Sequence, residues 1–159
     1  MVLDPDTQAF LQSGCALIVA TVGSDGAPHA ARGWGLEVLD PSPWPQLRLL
    51  LDVEDERSIA NIADGDGPIA VTATNVVELR SMQMKGRARD PEVASARDVE
   101  RAQHYIEDFF ARVHVTDATR WELFESFLPT GYVACTFEVH ERFDQTPGPG
   151  AGARIEATP

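Results

Sequence analysis

The segment from residue 16 to residue 37 constrains the fold most strongly, because it has the pattern of a β-hairpin. Residues 16–22 are small or β-branched, and they lead into Gly-Ser-Asp-Gly at 23–26. An Asp-Gly pair supplies the positive φ that a tight reverse turn requires. After Pro28 the residues alternate in character, as in a strand whose successive side chains point to opposite faces. The segment therefore predicts two antiparallel strands.

The second strand of this hairpin carries an unusual set of residues, a cation and an aromatic ring beside two glycines. Strict alternation places Ala30, Arg32, Trp34, Leu36 and Val38 on one face and His29, Ala31, Gly33, Gly35 and Glu37 on the other. Glycine inside a strand marks a bulge or a close approach to the backbone. Two interpretations are open: a bulge at a barrel corner with Arg32 in solvent and Trp34 in the core, or a surface that receives a flat, phosphorylated ligand.

Composition narrows the classes of protein to which the chain could belong. It has 159 residues, 43% of them hydrophobic, which suits one domain with a sizeable core. No apolar run approaches the roughly 20 residues that span a bilayer, and no secretory signal pattern begins the chain, so we expect a cytoplasmic protein with no membrane partner. The net charge of −12 argues against nucleic acid as a partner. Cys15 and Cys135 lie in apolar runs and are expected to be buried free thiols.

The rest of the chain predicts an antiparallel barrel of about six strands with helices packed outside. The strand at 46–53 shows the clearest alternation, with Leu47, Leu49 and Leu51 on one face and Arg48 and Leu50 on the other. Further strands are expected at 68–77, 81–88 and 132–143, and helices at 5–12, 54–63, 95–114 and 117–127. This order is not the regular βαβ alternation of a parallel sheet.

Four segments occur in an order and at spacings that resemble a known family. They are the N-terminal helix, the hairpin ending in Arg32-Gly33-Trp34-Gly35, the apolar third strand leading into Arg57-Ser58, and the strand Ser81-Met82-Gln83-Met84-Lys85-Gly86. Together they resemble the pyridoxamine 5′-phosphate oxidase-like family of FMN-binding split β-barrels, over roughly residues 5–90 and 132–143. The resemblance implies a homodimer with FMN in clefts between the subunits. It also implies one FMN-binding domain over 1–145, with a helical insertion at about 95–128 and an irregular tail over 146–159.

The cofactor-binding residues that the resemblance implies fall on three elements. The second strand supplies a cation and backbone along the edge of the flavin ring, the start of the helix after the third strand supplies phosphate ligands, and the strand at 81–88 supplies further polar contacts. In that order the residues are Arg32, Gly33, Trp34 and Gly35; Arg57 and Ser58; and Ser81, Gln83 and Lys85. A dianionic phosphate suits guanidinium and hydroxyl donors at a helix N-terminus, which independently supports the second group.

Two departures from the family limit the activity that the resemblance implies. Residues 54–56 are three carboxylates beside the implied phosphate site, and they oppose a dianion unless they face away. Residues 143–150 lack the arginine and histidine with which the true vitamin B6 oxidases close their substrate site. We therefore expect an FMN-dependent oxidoreductase, flavin reductase-like or a general oxidase, that acts on a small molecule other than pyridoxamine phosphate. The catalytic residues and the substrate are not indicated.

The same barrel is also consistent with two other functions. One is a module that holds a flavin or haem without turnover, for which His29 or His140 would be the candidate axial ligands on strands. Another is a deazaflavin-dependent reductase. A metal site is not expected, because the four histidines have no HxxxH or HxH spacing.

Overall fold

The computed structural model describes residues 1–63 and 67–156, and within them it contains seven strands and four helices. The last three residues of the predicted tail lie outside the described residues. The strands are β1 Ala16–Val22, β2 Pro28–Asp40, β3 Gln46–Asp52, β4 Pro68–Thr74, β5 Ser81–Ala88, β6 Glu92–Val93 and β7 Tyr132–Asp144. The helices are α1 Pro5–Leu11, α2 Glu56–Ala63, α3 Ala96–Asp117 and α4 Trp121–Glu125.

Six of the strands close into an antiparallel barrel. β3, β2, β1, β4, β5 and β7 are neighbours in that order, and β7 also pairs with β3, which closes the ring. The predicted barrel of about six strands with flanking helices is confirmed. The two-residue strand β6 pairs with β7 beside the ring and was not predicted, because two residues are too short for a periodic pattern.

The barrel interior is filled by one face of each strand. A Cβ atom built on Gly33 would lie 2.9 Å from the Cβ of Leu17 and 3.0 Å from the Cδ1 of Leu49, so Gly33 faces the interior. The alternation predicted for β3 is confirmed, since its interior residues are fully buried. The fully buried side chains here include Leu17, Val19, Leu47, Leu49, Leu51, Val71, Met84 and Phe137.

The strict alternation predicted for β2 is wrong beyond Gly33, because the strand contains a bulge. Gly33 pairs with Leu51 and Leu36 pairs with Leu49, so three residue steps along β2 match two steps along β3. Gly35 lies within this bulge at φ 149°, which a residue with a side chain rarely adopts. The extra residue turns Glu37 to the outside of the barrel, opposite Arg48 of β3.

The helices begin and end at residues suited to those positions. Asp4 accepts a hydrogen bond from the backbone of Thr7 (2.9 Å) and caps α1, with proline in the first turn. Ser95 and Asp98 form a capping box at the start of α3. α3 extends to Asp117, beyond its predicted end, and α4 covers only part of the second helix predicted over 117–127.

Two sets of ion pairs hold α3 against the outside of β2 and β3. The guanidinium of Arg48 on β3 donates from Nε and Nη2 to both oxygens of the buried Asp98, at 2.6 and 2.8 Å. Arg97 and Arg101 of α3 pair with Glu37 of β2 at 2.6 and 3.0 Å. α3 therefore covers one side of the barrel.

Both cysteines are buried free thiols, as predicted. Burial raises the pKa of the Cys135 thiol to about 12, and it also raises the pKa of Cys15. Neither thiol is therefore ionised near neutral pH. Among the residues that the structure describes, no helix combines the length and apolarity needed to cross a membrane.

Replacing Asp98 by Asn is expected to lower the free energy of unfolding by about 3 kcal/mol, because the half-buried Arg48 guanidinium loses its buried charged partner. Hydrogen bonds from Arg48 hold the pKa of Asp98 well below its usual range. The ion pair therefore stabilises the native state above the unfolded-state pKa of about 4 and is lost as the pH falls below it. Urea unfolding between pH 7 and pH 2 measures both effects, and Asp98→Asn should flatten the acid limb.

The matched control is Glu92→Gln, which removes the other carboxylate on Arg48. That carboxylate is exposed, so the expected loss is below about 1 kcal/mol. Equal losses for the two variants would contradict the assignment of α3 anchoring to Asp98.

Candidate functional site

The side of the barrel formed by β1, β4, β5 and the start of β2 presents an open surface, which we call the outer face. Along β1 the interior residues are buried, whereas Ile18 is 50% and Val22 38% exposed. By the pairing register, the outer face comprises Ala16, Ile18, Ala20 and Val22 of β1, Ala30 and Arg32 of β2, Ala70, Thr72 and Thr74 of β4, and Ser81, Gln83 and Lys85 of β5.

The strand register sets these residues in two parallel rows. One row runs Arg32, Ile18, Thr72, Gln83, and the next runs Ala30, Ala20, Ala70, Lys85. Each row crosses four strands and therefore spans about 14 Å. Three neighbouring alanines, which we call the alanine patch, make the middle of the outer face flat, with long polar side chains at both sides.

A pocket of about 350 Å³ lies over part of the alanine patch. Its walls include Val22, Pro28, Lys85 and His140. The Nζ of Lys85 lies 4.6 Å from the centre of the Phe143 ring. Within residues 1–63 and 67–156 Lys85 has no ion pair, so its charge is available to a ligand on this face.

Arg32 lies between the outer face and α3. Its guanidinium carbon is 4.4 Å from the centre of the Phe109 ring and 5.2 Å from that of Trp34. Its Nε and Nη2 atoms are buried, and within residues 1–63 and 67–156 they have no hydrogen-bond partner. Burial raises the pKa of the neighbouring Tyr105 to about 12, although the charge of Arg32 opposes this shift. Two donors of Arg32 are therefore without an acceptor in the part of the chain that the structure describes.

The residues after Arg32 are turned away from the open surface. Gly33 faces the barrel interior, and Trp34 is buried beside Arg32, as expected for a core residue. A Cβ on Gly35 would lie 3.2 Å from Leu50 and 3.8 Å from Arg101, so this position lies under α3. The assignment of Gly33, Trp34 and Gly35 to the edge of a flavin ring stays a prediction, and it concerns their backbone atoms alone.

The start of α2 is capped by the chain itself. The Oδ1 atom of Asp55 accepts from the backbone N–H of Ser58 (3.1 Å) and lies 3.0 Å from Nε2 of His29. Ser58 is fully buried, and its Oγ has no partner. Arg57 is exposed and pairs with Asp25 at 2.8 Å. One of the three carboxylates at 54–56 therefore occupies the helix start at which a phosphate was predicted.

The strand β5 places its three predicted polar residues on one face but in different surroundings. Ser81 is buried, its Oγ lies 2.7 Å from Thr74 Oγ1, and its backbone N–H donates to Thr146. Gln83 is half-buried and donates to Thr72 Oγ1 at 3.2 Å. The structure thus brings Arg32, Gln83 and Lys85 to the outer face, and it does not bring Arg57 or Ser58 into the same rows.

The alanine patch was missed in the sequence, and His140 was considered there only as a candidate haem ligand. Ala20, Ala30 and Ala70 are unremarkable singly, and only the cross-strand register brings them together. His140 reaches the pocket from β7 and lies 3.0 Å from Glu138. Across the described ranges, no three His, Cys, Asp or Glu side chains are grouped closely enough to hold a metal ion.

Comparison with known proteins defines the fold class. Neither a protein-family model nor a curated protein matches the sequence. The structure resembles a Lactobacillus delbrueckii protein whose designation as a pyridoxamine 5′-phosphate oxidase is provisional, with 20% identity, a TM-score of 0.53, and coverage of 89% of this chain and 93% of that one. It resembles HupZ of Group A Streptococcus at 15% identity and a TM-score of 0.55, covering 94% and 98% of the chains.

An F420 reductase is similar to the same degree. Its TM-score is 0.55 at 14% identity, over 85% of this chain and 94% of that one. At such identities the likeness concerns the fold. The chain has the split β-barrel fold of the pyridoxamine 5′-phosphate oxidase-like proteins, as the order of its motifs predicted.

Replacing Arg32 by Met is expected to change the free energy of unfolding by less than about 1 kcal/mol. Methionine keeps the packing on Phe109 and Trp34, and the variant loses the two cation–π contacts and no ion pair. Arg48→Met is the matched control and should cost about 3 kcal/mol, since it leaves Asp98 buried and unpaired. Chemical denaturation measures both. Equal losses would show that Arg32 has a structural role and would remove it from the candidate site.

Proposed function

We propose that the chain binds FMN on the outer face, between two copies of itself, and acts as an FMN-dependent oxidoreductase on a small molecule. The observation that carries this proposal is the alanine patch, with the ammonium of Lys85 at one side and, at the boundary with α3, the buried Arg32, whose Nε and Nη2 have no hydrogen-bond partner among the described residues. A flat, small-residue surface suits a planar ring system, and donors at its edges suit the ring's carbonyl and nitrogen acceptors.

The outer-face residues fit the ring portion of FMN. The Nε and Nη2 atoms of Arg32 lack an acceptor, and a ring oxygen or nitrogen would provide one. Gln83 and Lys85 present an amide and an ammonium from the opposite side of the patch. FMN, when bound, would supply reversible acceptance and donation of electrons. The positive charges of Arg32 and Lys85 would stabilise the negative charge that arises on reduction.

The phosphate is assigned to Arg57. Its present partner is an exposed carboxylate, and an exposed pair of this kind contributes only about 0–1 kcal/mol. A dianionic phosphate can therefore compete with Asp25 for the guanidinium. Ser58 stays in the proposal through its unpartnered Oγ, but it can bind phosphate only if Asp55 leaves the start of α2.

The proposed dimer follows from the exposed apolar residues that border the alanine patch. Ile18 and Val22 lie on the central strand of the outer face, and both are exposed. A two-fold pairing of this face with itself would bury them and would exclude water from a ligand on the patch. We therefore propose that the second copy completes the site.

Replacing Lys85 by Met should weaken FMN binding by about ten- to a hundredfold, because one charge-assisted hydrogen bond is worth about 1.5–3 kcal/mol. Quenching of FMN fluorescence on titration with protein measures the affinity. Arg80→Gln is the control, since it removes a cation that pairs with Asp6 on α1, and it should leave the affinity within about twofold.

Equal affinities for the wild type and Lys85→Met would contradict the assigned site. The absorption spectrum of the isolated protein distinguishes the alternatives, because flavin, deazaflavin and haem absorb at different wavelengths. A Soret band, with His140 as the candidate ligand, would replace the proposal by a haem-binding module. Bound FMN that neither NADH nor NADPH reduces would favour a non-catalytic flavin carrier.

A further inference from the structure

A buried arginine at one end of the barrel has no role in the proposed flavin site. Arg142 lies on β7 opposite Met84, whose side chain is in the barrel interior. It is only 5% exposed. Neighbouring segments cover it, and the backbone N–H of Ile155 donates to its carbonyl at 2.8 Å. The side chain therefore enters the end of the barrel and not the outer face.

Among the described residues, the guanidinium of Arg142 has no hydrogen-bond or ion-pair partner. Its Nε atom is buried without a hydrogen bond, and none of the ion pairs in residues 1–63 and 67–156 includes it. Asp4 is the carboxylate that acts on it electrostatically, but both oxygens of Asp4 already accept from Thr7, at 2.9 and 2.7 Å. Burial lowers the pKa of the Arg142 guanidinium. A buried cation without a partner is costly, which points to an anion supplied from outside the chain.

Arg142 lines an open pocket of about 600 Å³, a volume that suits a small organic molecule. Part of the wall is apolar, from Val2, Met82 and Ile155, and Thr7 adds a hydroxyl-bearing side chain. The carboxylates of Asp4 and Glu156 also line it. A ligand of this pocket must therefore match one cation, an apolar wall and two acidic side chains.

We propose that this pocket binds a small monocarboxylate with an apolar body. The carboxylate accepts hydrogen bonds from Arg142, and the apolar body packs on Val2, Met82 and Ile155. A phosphate dianion fits less well, because Asp4 and Glu156 would repel its second charge. The pocket is separate from the flavin site, since Met82 and Gln83 project from opposite faces of β5.

Octanoate is a suitable probe, with octan-1-ol as the same chain without the charge. In the wild-type protein, methyl NMR should show octanoate shifting the methyl resonances of Met82 and Ile155. Octan-1-ol should bind at least tenfold more weakly, because it cannot form the charge-assisted bonds to Arg142. This comparison needs no variant.

The variant Arg142→Met should weaken octanoate binding at least tenfold while the melting temperature stays unchanged or rises, because no paired charge is lost. Arg154→Gln is the matched control: it removes an exposed cation near the end of β7 that pairs with Glu141, and it should keep octanoate affinity within about twofold. If Arg142→Met does not fold, the comparison of octanoate with octan-1-ol in the wild type decides.

The proposal is overturned if octanoate leaves the Met82 methyl resonance unshifted, or if octan-1-ol binds as tightly as octanoate. Undiminished octanoate binding to folded Arg142→Met overturns it as well. Inorganic phosphate that displaces octanoate from Met82 at equal concentration would show a site for a different class of anion.

Discussion

The attachment of α3 to one side of the barrel determines where a ligand can bind. Every strand of a closed barrel has an outward face. Apolar side chains on that face are stable only when another element packs against them. The buried Arg48–Asp98 pair, with the pairs to Glu37, fixes α3 over β2 and β3. The strands β1, β4 and β5 keep an open outer face. Arg32 lies at the boundary, with its side chain against aromatic residues of the covered side and its backbone in a row that crosses the open side.

Alternation along single strands then separates two kinds of chemistry. On β5, Gln83 and Lys85 face outward toward the alanine patch, whereas Met82 faces the pocket at the end of the barrel. On β7, Phe143 lies beside Lys85 on the outside, and Arg142 points into the barrel. Because successive side chains of a strand point to opposite faces, neighbouring residues belong to different proposed sites, the flavin surface and the carboxylate pocket. The two sites share strands but not side chains.

Much of the fold could be predicted from the sequence, because local signals specify it. The Asp-Gly turn, the alternating leucines of β3 and the helical periodicity of 95–114 each act within a few residues. The bulge in β2 was not predictable in position, since it depends on the pairing of Gly33 with Leu51 and of Leu36 with Leu49. Likewise, the alanine patch joins residues 20, 30 and 70, which only the register brings together. The capping of α2 by Asp55 is a local contact of a kind that residue type can indicate, whereas the burial of Ser58 is a tertiary result that residue type alone does not show.

We have proposed that the outer face holds FMN between two copies of the chain. Sedimentation velocity, followed at the flavin absorption band, tests it in one measurement, because it reports the mass of the species that carries the flavin. We expect the flavin to sediment with a species of two chains, and protein without FMN to show less of this species. Flavin that sediments with a single chain, or free of the protein, would rule out binding between two copies.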